Sequence, residues 1–244
     1  RVDLDLGQTV SDKTTDQLLA AYKNGSASEA EKRQLEVMLF QYGRYLTIAS
    51  SREDSQLPSN LQGVWNCMNN PPWSSDYHMN VNLQMNYWPT YSTNLAECAM
   101  PLIDYIDSLR EPGRITAKIY NGVDVGFSAH TQNTPFGWTC PGWSFSWGWS
   151  PAAVPWILQN CWEYYEYTGD VEFMRDYIYP MLKEEAQFYD AILIDCPPSL
   201  EMLTINALAA ASTYLIFSAF KFLPHKYTIL FLVSRPSVSL ISST

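Results

Sequence analysis

Hydrophobic positions recur with helical spacing in several separate stretches, and the stretches between them are polar and rich in aromatic residues. The clearest helical pattern is Ala27 to Ser50, where Leu35, the adjacent pair Met38 and Leu39, Tyr42, Leu46 and Ala49 recur every three or four residues. That spacing predicts a helix with one buried face. Ser28 followed by Glu31 forms a capping-box pair that fixes its start. A shorter helix is expected within Ser11 to Ala20. Tyr87 to Ser108 repeats the spacing through Leu95, Cys98, Leu102, Tyr105 and Ile106, with Glu111-Pro112-Gly113 as its terminator. Pro151 to Tyr167 closes at Thr168-Gly169-Asp170, and Val171 to Tyr189 follows with a break near Tyr179-Pro180. Arg1 to Gly7 alternates apolar and polar residues and reads as a strand.

The intervening stretches carry the candidate chemistry. Ser51 to Ser75 is rich in Pro, Asn, Ser and Gly and predicts a long ordered loop, a feature that in compact domains is often functional. Directly after it, His78, Asn80, Asn82, Gln84 and Asn86 occupy every second position, so an extended segment would carry all five on one face. A second loop, Gly126 to Ser150, holds His130, Gln132, Asn133, Trp138, Trp143, Trp147 and Trp149. Carboxamides both donate and accept hydrogen bonds, which suits sugar hydroxyls and an ordered water. Tryptophan supplies flat apolar walls for the C–H faces of a sugar ring. All nine tryptophans lie between Trp65 and Trp162, so the pattern points to a carbohydrate site. Helices joined by long aromatic loops predict a helical toroid with the site at one end of its helices.

Composition narrows the classes. At 27.9 kDa and 47% hydrophobic residues, the chain is long and apolar enough for a sizeable packed core. A net charge of -10 and a pI near 4.7 argue against nucleic-acid binding, which needs clustered Lys and Arg. A neutral partner fits better. Cys67, Cys98, Cys140, Cys161 and Cys196 are widely spaced and show neither CxxC nor His-rich metal spacing, so they read mostly as buried thiols, with no metal expected. The chain begins without Met inside an expected strand, which reads as a fragment. No signal peptide is legible, and cytoplasmic and secreted locations both stay open.

Several ordered blocks carry a family resemblance. Gln41-Tyr42-Gly43-Arg44-Tyr45-Leu46, then Leu57-Pro58-Ser59-Asn60-Leu61-Gln62-Gly63-Val64-Trp65-Asn66, Pro71-Pro72-Trp73 and Asn80-Val81-Asn82-Leu83-Gln84-Met85-Asn86-Tyr87-Trp88-Pro89 together resemble glycoside hydrolase family 95. His130-Thr131-Gln132-Asn133-Thr134-Pro135-Phe136-Gly137 and Trp162-Glu163-Tyr164-Tyr165-Glu166-Tyr167-Thr168-Gly169-Asp170 continue it in order, so residues 1–189 are covered. The resemblance implies a mainly α fold, the front part of an incomplete (α/α)6 barrel. It implies an inverting α-L-fucosidase, or a related enzyme acting on L-galactose, with a fucosylated oligosaccharide or glycan as partner and no cofactor. Inversion needs a carboxylic acid to protonate the leaving oxygen and a base on the opposite face to activate water. In the family two asparagines assist that base, and by motif they correspond to Asn80 and Asn82. His78 resembles a sugar-binding residue, and His130, Asn133, Trp147 and Trp149 are expected to line the pocket. Glu163 and Glu166 share a helix face and read as an ordinary surface pair.

The resemblance stops near Tyr189-Asp190. The family's acid-bearing segment, approximately Ser-Pro-Ser-x-Ser-Pro-Glu, and its downstream base Asp have no counterpart here. Residues 189–212, through Ile194-Asp195-Cys196-Pro197-Pro198 and Leu203-Thr204-Ile205-Asn206-Ala207-Leu208, instead resemble partition ATPases of the ParA type. That chemistry needs a Gly-x-x-x-x-Gly-Lys-Ser/Thr loop, which the chain lacks. Beyond Asp190 only Asp195, Glu201, Lys221, Lys226 and Arg235 are charged, three basic residues against two acidic, and the tail has no Trp. Met202 to Phe220 is uncharged, but Thr204, Asn206, Ser212, Thr213 and Ser218 weaken it as a membrane span. A chimeric reading frame joined near Tyr189-Asp190, with a frame change after about Ser212, is the expectation. The competing readings are a residual sugar-binding module without catalysis and a ParA-like component.

Overall fold

A computed structural model describes residues 2–142 and 148–195 of the chain. The architecture is mainly helical, as expected. In order, it comprises α1 (Thr15–Lys23), α2 (Glu29–Ser50), a 3-10 turn (Pro72–Ser75), β1 (Tyr77–His78), α3 (Asn82–Ser92) and a second 3-10 turn (Ala96–Ala99). Next come α4 (Met100–Ser108), α5 (Arg110–Tyr120), β2 (Gln132–Asn133), α6 (Ala153–Thr168), α7 (Val171–Phe173), a π turn (Met174–Ile178) and α8 (Tyr179–Asp195).

Local signals explain most boundaries. Ser28 Oγ accepts from the Glu31 amide while the Glu31 side chain reaches back, so the predicted capping box starts α2. At α1 the reciprocal half of the device is formed, with the Thr14 amide donating to Gln17 Oε1 at 3.0 Å while Thr14 Oγ1 donates to Asp16 Oδ1. Gly169, at φ 68 in the left-handed region, ends α6 as predicted. The expected break at Tyr179-Pro180 takes the form of the π turn, and α8 then runs through Pro180. The widened turn accommodates both the missing N–H and the ring, which would otherwise meet the carbonyl four residues back.

Four expectations are corrected. Residues 2–7 form no strand: no strand lies beside them among the described residues, and the segment instead runs along α2, where Gln41 Nε2 donates to the Val2 carbonyl at 2.9 Å. The predicted buried stripe of α2 is largely uncovered, with Leu39 74% and Tyr42 58% exposed, while Arg44 and Ser50 are the helix's buried residues. Glu111-Pro112-Gly113 does not stop a helix but lies in the first turn of α5, where proline costs no hydrogen bond; the chain already bends at Leu109. Gly113 has a packing reason, since a Cβ there would sit 3.1 Å from Phe127 Cβ and the Ser128 carbonyl.

The fourth correction concerns the alternating segment. Only Tyr77–His78 is extended, residues 79–81 turn, and α3 begins at Asn82. Leu83, Tyr87, Thr90 and Tyr91 then fall on one buried helical face, and this 3.6-residue period overrides the two-residue one. Their burial against α4 and α6 builds the main core, with Leu102, Ile106, Ile157 and Leu158 fully enclosed. Cys98 and Cys161 are buried, Cys140 is half-buried and Cys67 exposed; all four are free thiols, and Cys196 lies outside the described residues. Burial pushes the Cys98 thiol up to about 11. Among the described residues, no helix is long and apolar enough to cross a membrane. The uncharged run Met202 to Phe220 lies outside them.

A second, smaller core joins α5 to α8 through Ala117, Val123, Phe188 and Tyr189, and on its outer side Glu184 is bridged by Arg110 and Arg114 at 2.7 and 2.5 Å. Next to Glu184, Glu185 is 2% exposed, and among the described residues neither carboxylate oxygen has a hydrogen-bond partner. Burial, reinforced by the Glu184 charge, raises its pKa well above the usual carboxylate range. Below about pH 4.5 both states of the protein hold this proton; above it the unfolded chain ionises first, so stability falls as pH rises toward the raised folded value. Urea unfolding between pH 4 and pH 8 is expected to show this loss, at most about 1.4 kcal/mol per pH unit for one proton. Glu185→Gln is expected to flatten it, and an unchanged slope in that variant would assign the loss elsewhere.

Candidate active site

A short antiparallel ribbon brings the two predicted site segments together. Tyr77 pairs with Asn133 and His78 with Gln132, and the Met79 amide extends the ladder by donating to the Thr131 carbonyl at 2.7 Å. The first long loop docks on the same ribbon. Leu61 N donates to the Asp76 carbonyl at 3.0 Å, Asn86 Nδ2 to the Asn60 carbonyl at 2.9 Å, and Ser75 Oγ to Asn60 Oδ1 at 3.0 Å. On the far side, Thr131 N donates to the Gly148 carbonyl at 3.2 Å. The segments around Asn60, His78, His130 and Gly148 therefore form one hydrogen-bonded layer.

Within this layer the five alternating polar residues separate. His78 is buried, with Nδ1 2.5 Å from Asp76 Oδ1. Asn80 is exposed on the turn, and Asn82 is half-buried in the first turn of α3. Gln84 is enclosed and structural: its Nε2 donates to the Met79 carbonyl at 2.8 Å and locks the turn that carries Asn80. Asn86 ties α3 to the Asn60 loop. Asp76 and Gln132 were not singled out as site residues by pattern. An acidic residue two positions before a histidine is a weak signal, and Gln132 becomes notable only once it stands opposite His78.

His130 is fully buried, its Nδ1 accepting from the Ser150 amide at 3.0 Å and its Nε2 lying 3.5 Å from Ser128 Oγ. The ring stacks on Trp149 with centroids 6.5 Å apart. Burial lowers its pKa to about 4. Asn133 is also enclosed; its Nδ2 donates to the His130 carbonyl at 2.6 Å, and its Oδ1 has no partner among the described residues. Trp149 is half-buried, and Trp147 lies outside the described residues. Gly142 closes over this region, since a Cβ there would fall 1.9 Å from Gln132 Oε1. Glu163 is half-buried and Glu166 exposed on α6; burial, then the Glu166 charge, raises the Glu163 pKa. Among the described residues no cluster of His, Cys, Asp and Glu could hold a metal.

The ordered blocks that meet in this layer find a counterpart among known proteins: the profile of the glycosyl hydrolase family 95 catalytic domain matches residues 1–218. The chain belongs to that family. A probable alpha-fucosidase A of Aspergillus niger is 38% identical over 185 residues, 75% of this chain and 23% of the relative. Alpha-L-fucosidase 2 of Arabidopsis thaliana is 39% identical over 185 residues, 75% of this chain and 22% of the relative. The family 95 chain thus spans under a quarter of the length of these two curated relatives. A chromosome partitioning protein ParA of Myxococcus xanthus is 56% identical over 43 residues, 18% of this chain and 14% of that protein.

The buried setting of His130 has a measurable consequence. Between about pH 6.5 and about pH 4 the unfolded chain takes up a proton that the folded one refuses, so this residue lowers stability as pH falls through that window. Side-chain 15N shifts are expected to show His130 neutral down to about pH 4. A midpoint near the ordinary histidine value would contradict this setting.

Proposed function

We propose that this chain supplies the water-positioning part of an inverting α-L-fucosidase site that removes terminal, α-1,2-linked fucose from glycans. The observation that carries this reading is the β1–β2 ribbon, which joins the His78 to Asn82 segment to the His130 to Asn133 segment in one layer. Fucosidase names among the curated relatives supply the substrate class. In this proposal Asn80 and Asn82 hold and polarise the attacking water, as carboxamides that accept from it and donate to the base carboxylate. His78 binds a sugar hydroxyl, Trp149 walls the pocket, and the enclosed His130 and Asn133 hold the backbone around Trp149 and Ser150 in place. The reaction needs no metal, because its charge changes are carried by two carboxyl groups.

Those carboxyl groups belong to family segments that the 244 residues do not include. We therefore take residues 1–189 as the front part of an (α/α)6 barrel and residues 190–244 as sequence of other origin, beginning with a ParA-like piece. The 185 residues matched by the fucosidases and the 43 matched by ParA are together fewer than 244, so the two can lie side by side. The family profile runs on to residue 218, across the ParA-like block. We place the boundary by residue identity, because Asp195-Cys196-Pro197-Pro198 follows the partition-ATPase pattern more closely.

Calorimetric titration of the chain with L-fucose is expected to give weak binding, with Kd of about 1 mM, or roughly -4 kcal/mol. A fucosidase assay on 2-linked fucosyl oligosaccharides is expected to show no measurable release. Efficient turnover would overturn the assignment of the missing carboxyls, and absence of any fucose binding would overturn the sugar site itself.

A further inference from the structure

Asp76 and His78 are both about nine-tenths buried, and their side chains meet at 2.5 Å. An ionised carboxylate can only accept, so His78 Nδ1 must carry the hydrogen. In the neutral ring Nε2 is then left as an acceptor. His130 is fixed the other way round, because its Nδ1 accepts from the Ser150 amide and Nε2 must hold the hydrogen. The two histidines of the layer thus present opposite tautomers.

The backbone leading into Asp76 is strained. Trp73, Ser74 and Ser75 all occupy the left-handed region, at φ 54, 58 and 49. Successive non-glycine residues adopt it only when their surroundings over-determine it, and such strain concentrates at functional sites. The holding contacts are Ser75 Oγ to Asn60 and the Leu61 amide to the Asp76 carbonyl. The result is that the Trp73 indole stands edge-on to His78, with centroids 5.9 Å apart, and remains 52% exposed. Register places His78 directly across from Gln132, so the two share one face of the ribbon. The neighbouring Tyr77 turns to the opposite, core side, where its ring packs on Tyr105 at 4.6 Å.

We propose that Trp73, Asp76 and His78 form a wall that reads one hydroxyl of a monosaccharide. The apolar face of the sugar lies on Trp73, and His78 Nε2 accepts the hydrogen of a ring hydroxyl. Asp76 is a positioning residue that keeps Nε2 free of hydrogen. This inference rests on the sugar-site reading above and adds Trp73 and Asp76 to it, with a stated polarity: the sugar group is the donor.

The test uses the full chain, whose three histidines, His78, His130 and His225, can be assigned by single substitution. Long-range 1H–15N spectra are expected to show His78 protonated at Nδ1 and His130 at Nε2. In Asp76→Ala the His78 signal is expected to shift toward the Nε2-protonated form while His130 stays unchanged, which reports an intact layer; Asp76→Asn serves where the alanine variant does not fold. Methyl α-L-fucopyranoside and its monodeoxy analogues are then titrated. Asp76→Ala is expected to weaken the parent glycoside about tenfold and to leave one deoxy analogue unaffected, while Trp73→Ala weakens all of them. A His78 ring protonated at Nε2 in the unsubstituted chain, or a loss in Asp76→Ala shared equally by every analogue, overturns the wall and leaves the sugar site standing. If no glycoside binds the unsubstituted chain, both fall.

Discussion

Two residue pairs, Tyr77 with Asn133 and His78 with Gln132, join the segments on which every candidate functional residue depends. A two-stranded ribbon this short has no stability of its own in water. It persists because Tyr77 and Met79 anchor one side in the helical core, both at most 3% exposed, while Leu61 and Gly148 extend the hydrogen bonding on its flanks. The core orders the ribbon, and the ribbon orders the loops. Damage to the packing of α3, α4 and α6 therefore reaches the site without touching any group that would meet a ligand.

The carboxamides divide the work. Gln84, fully enclosed, spends its amide on the Met79 carbonyl, and Asn160 donates from α6 to the Gln84 carbonyl at 3.3 Å. Tyr87 plays a similar part for the first long loop: its hydroxyl accepts from the Ser59 amide at 2.8 Å and meets Ser51 Oγ at 2.7 Å. A buried polar group costs stability unless paired, so these contacts make the loop conformations specific as well as stable. Asn80 and Asn82, by contrast, are carried at the edge of the layer by groups that are themselves fixed. In the proposed site such placement would leave these amides, which make no side-chain hydrogen bond among the described residues, open to a ligand.

Much of this was legible in the sequence, for identifiable reasons. Capping boxes, the left-handed Gly169 and the proline-rich loop are local signals that tertiary structure did not override. The His78 to Asn86 segment reads either way, because Leu83, Tyr87 and Tyr91 satisfy the helical period as Leu83, Met85 and Tyr87 satisfy the strand period, and a window of ten residues does not separate the two. Family resemblance points to Asn80 and Asn82 without reference to either period. Asp76 left only a weak pattern, and the buried carboxyl of Glu185 left none. What defines them is their surroundings, and neither spacing nor composition encodes the neighbours of one side chain.

Helix α2 shows the same limit from the other direction. Its stripe is correctly apolar, and Tyr42 stacks on Tyr45 with ring centroids 6.0 Å apart, yet both rings are 58% exposed. Among the described residues the helix packs against α1 and α3, which cover other parts of its circumference. A periodic stripe measures how much apolar surface a helix has to bury, at roughly 25 cal/mol per Å2. Whether that free energy is realised depends on which elements the topology brings alongside. The sequence of α2 thus determines a helix and its orientation preference, while the position of the site layer is determined by the helices that do find partners, α3 and α6 above all.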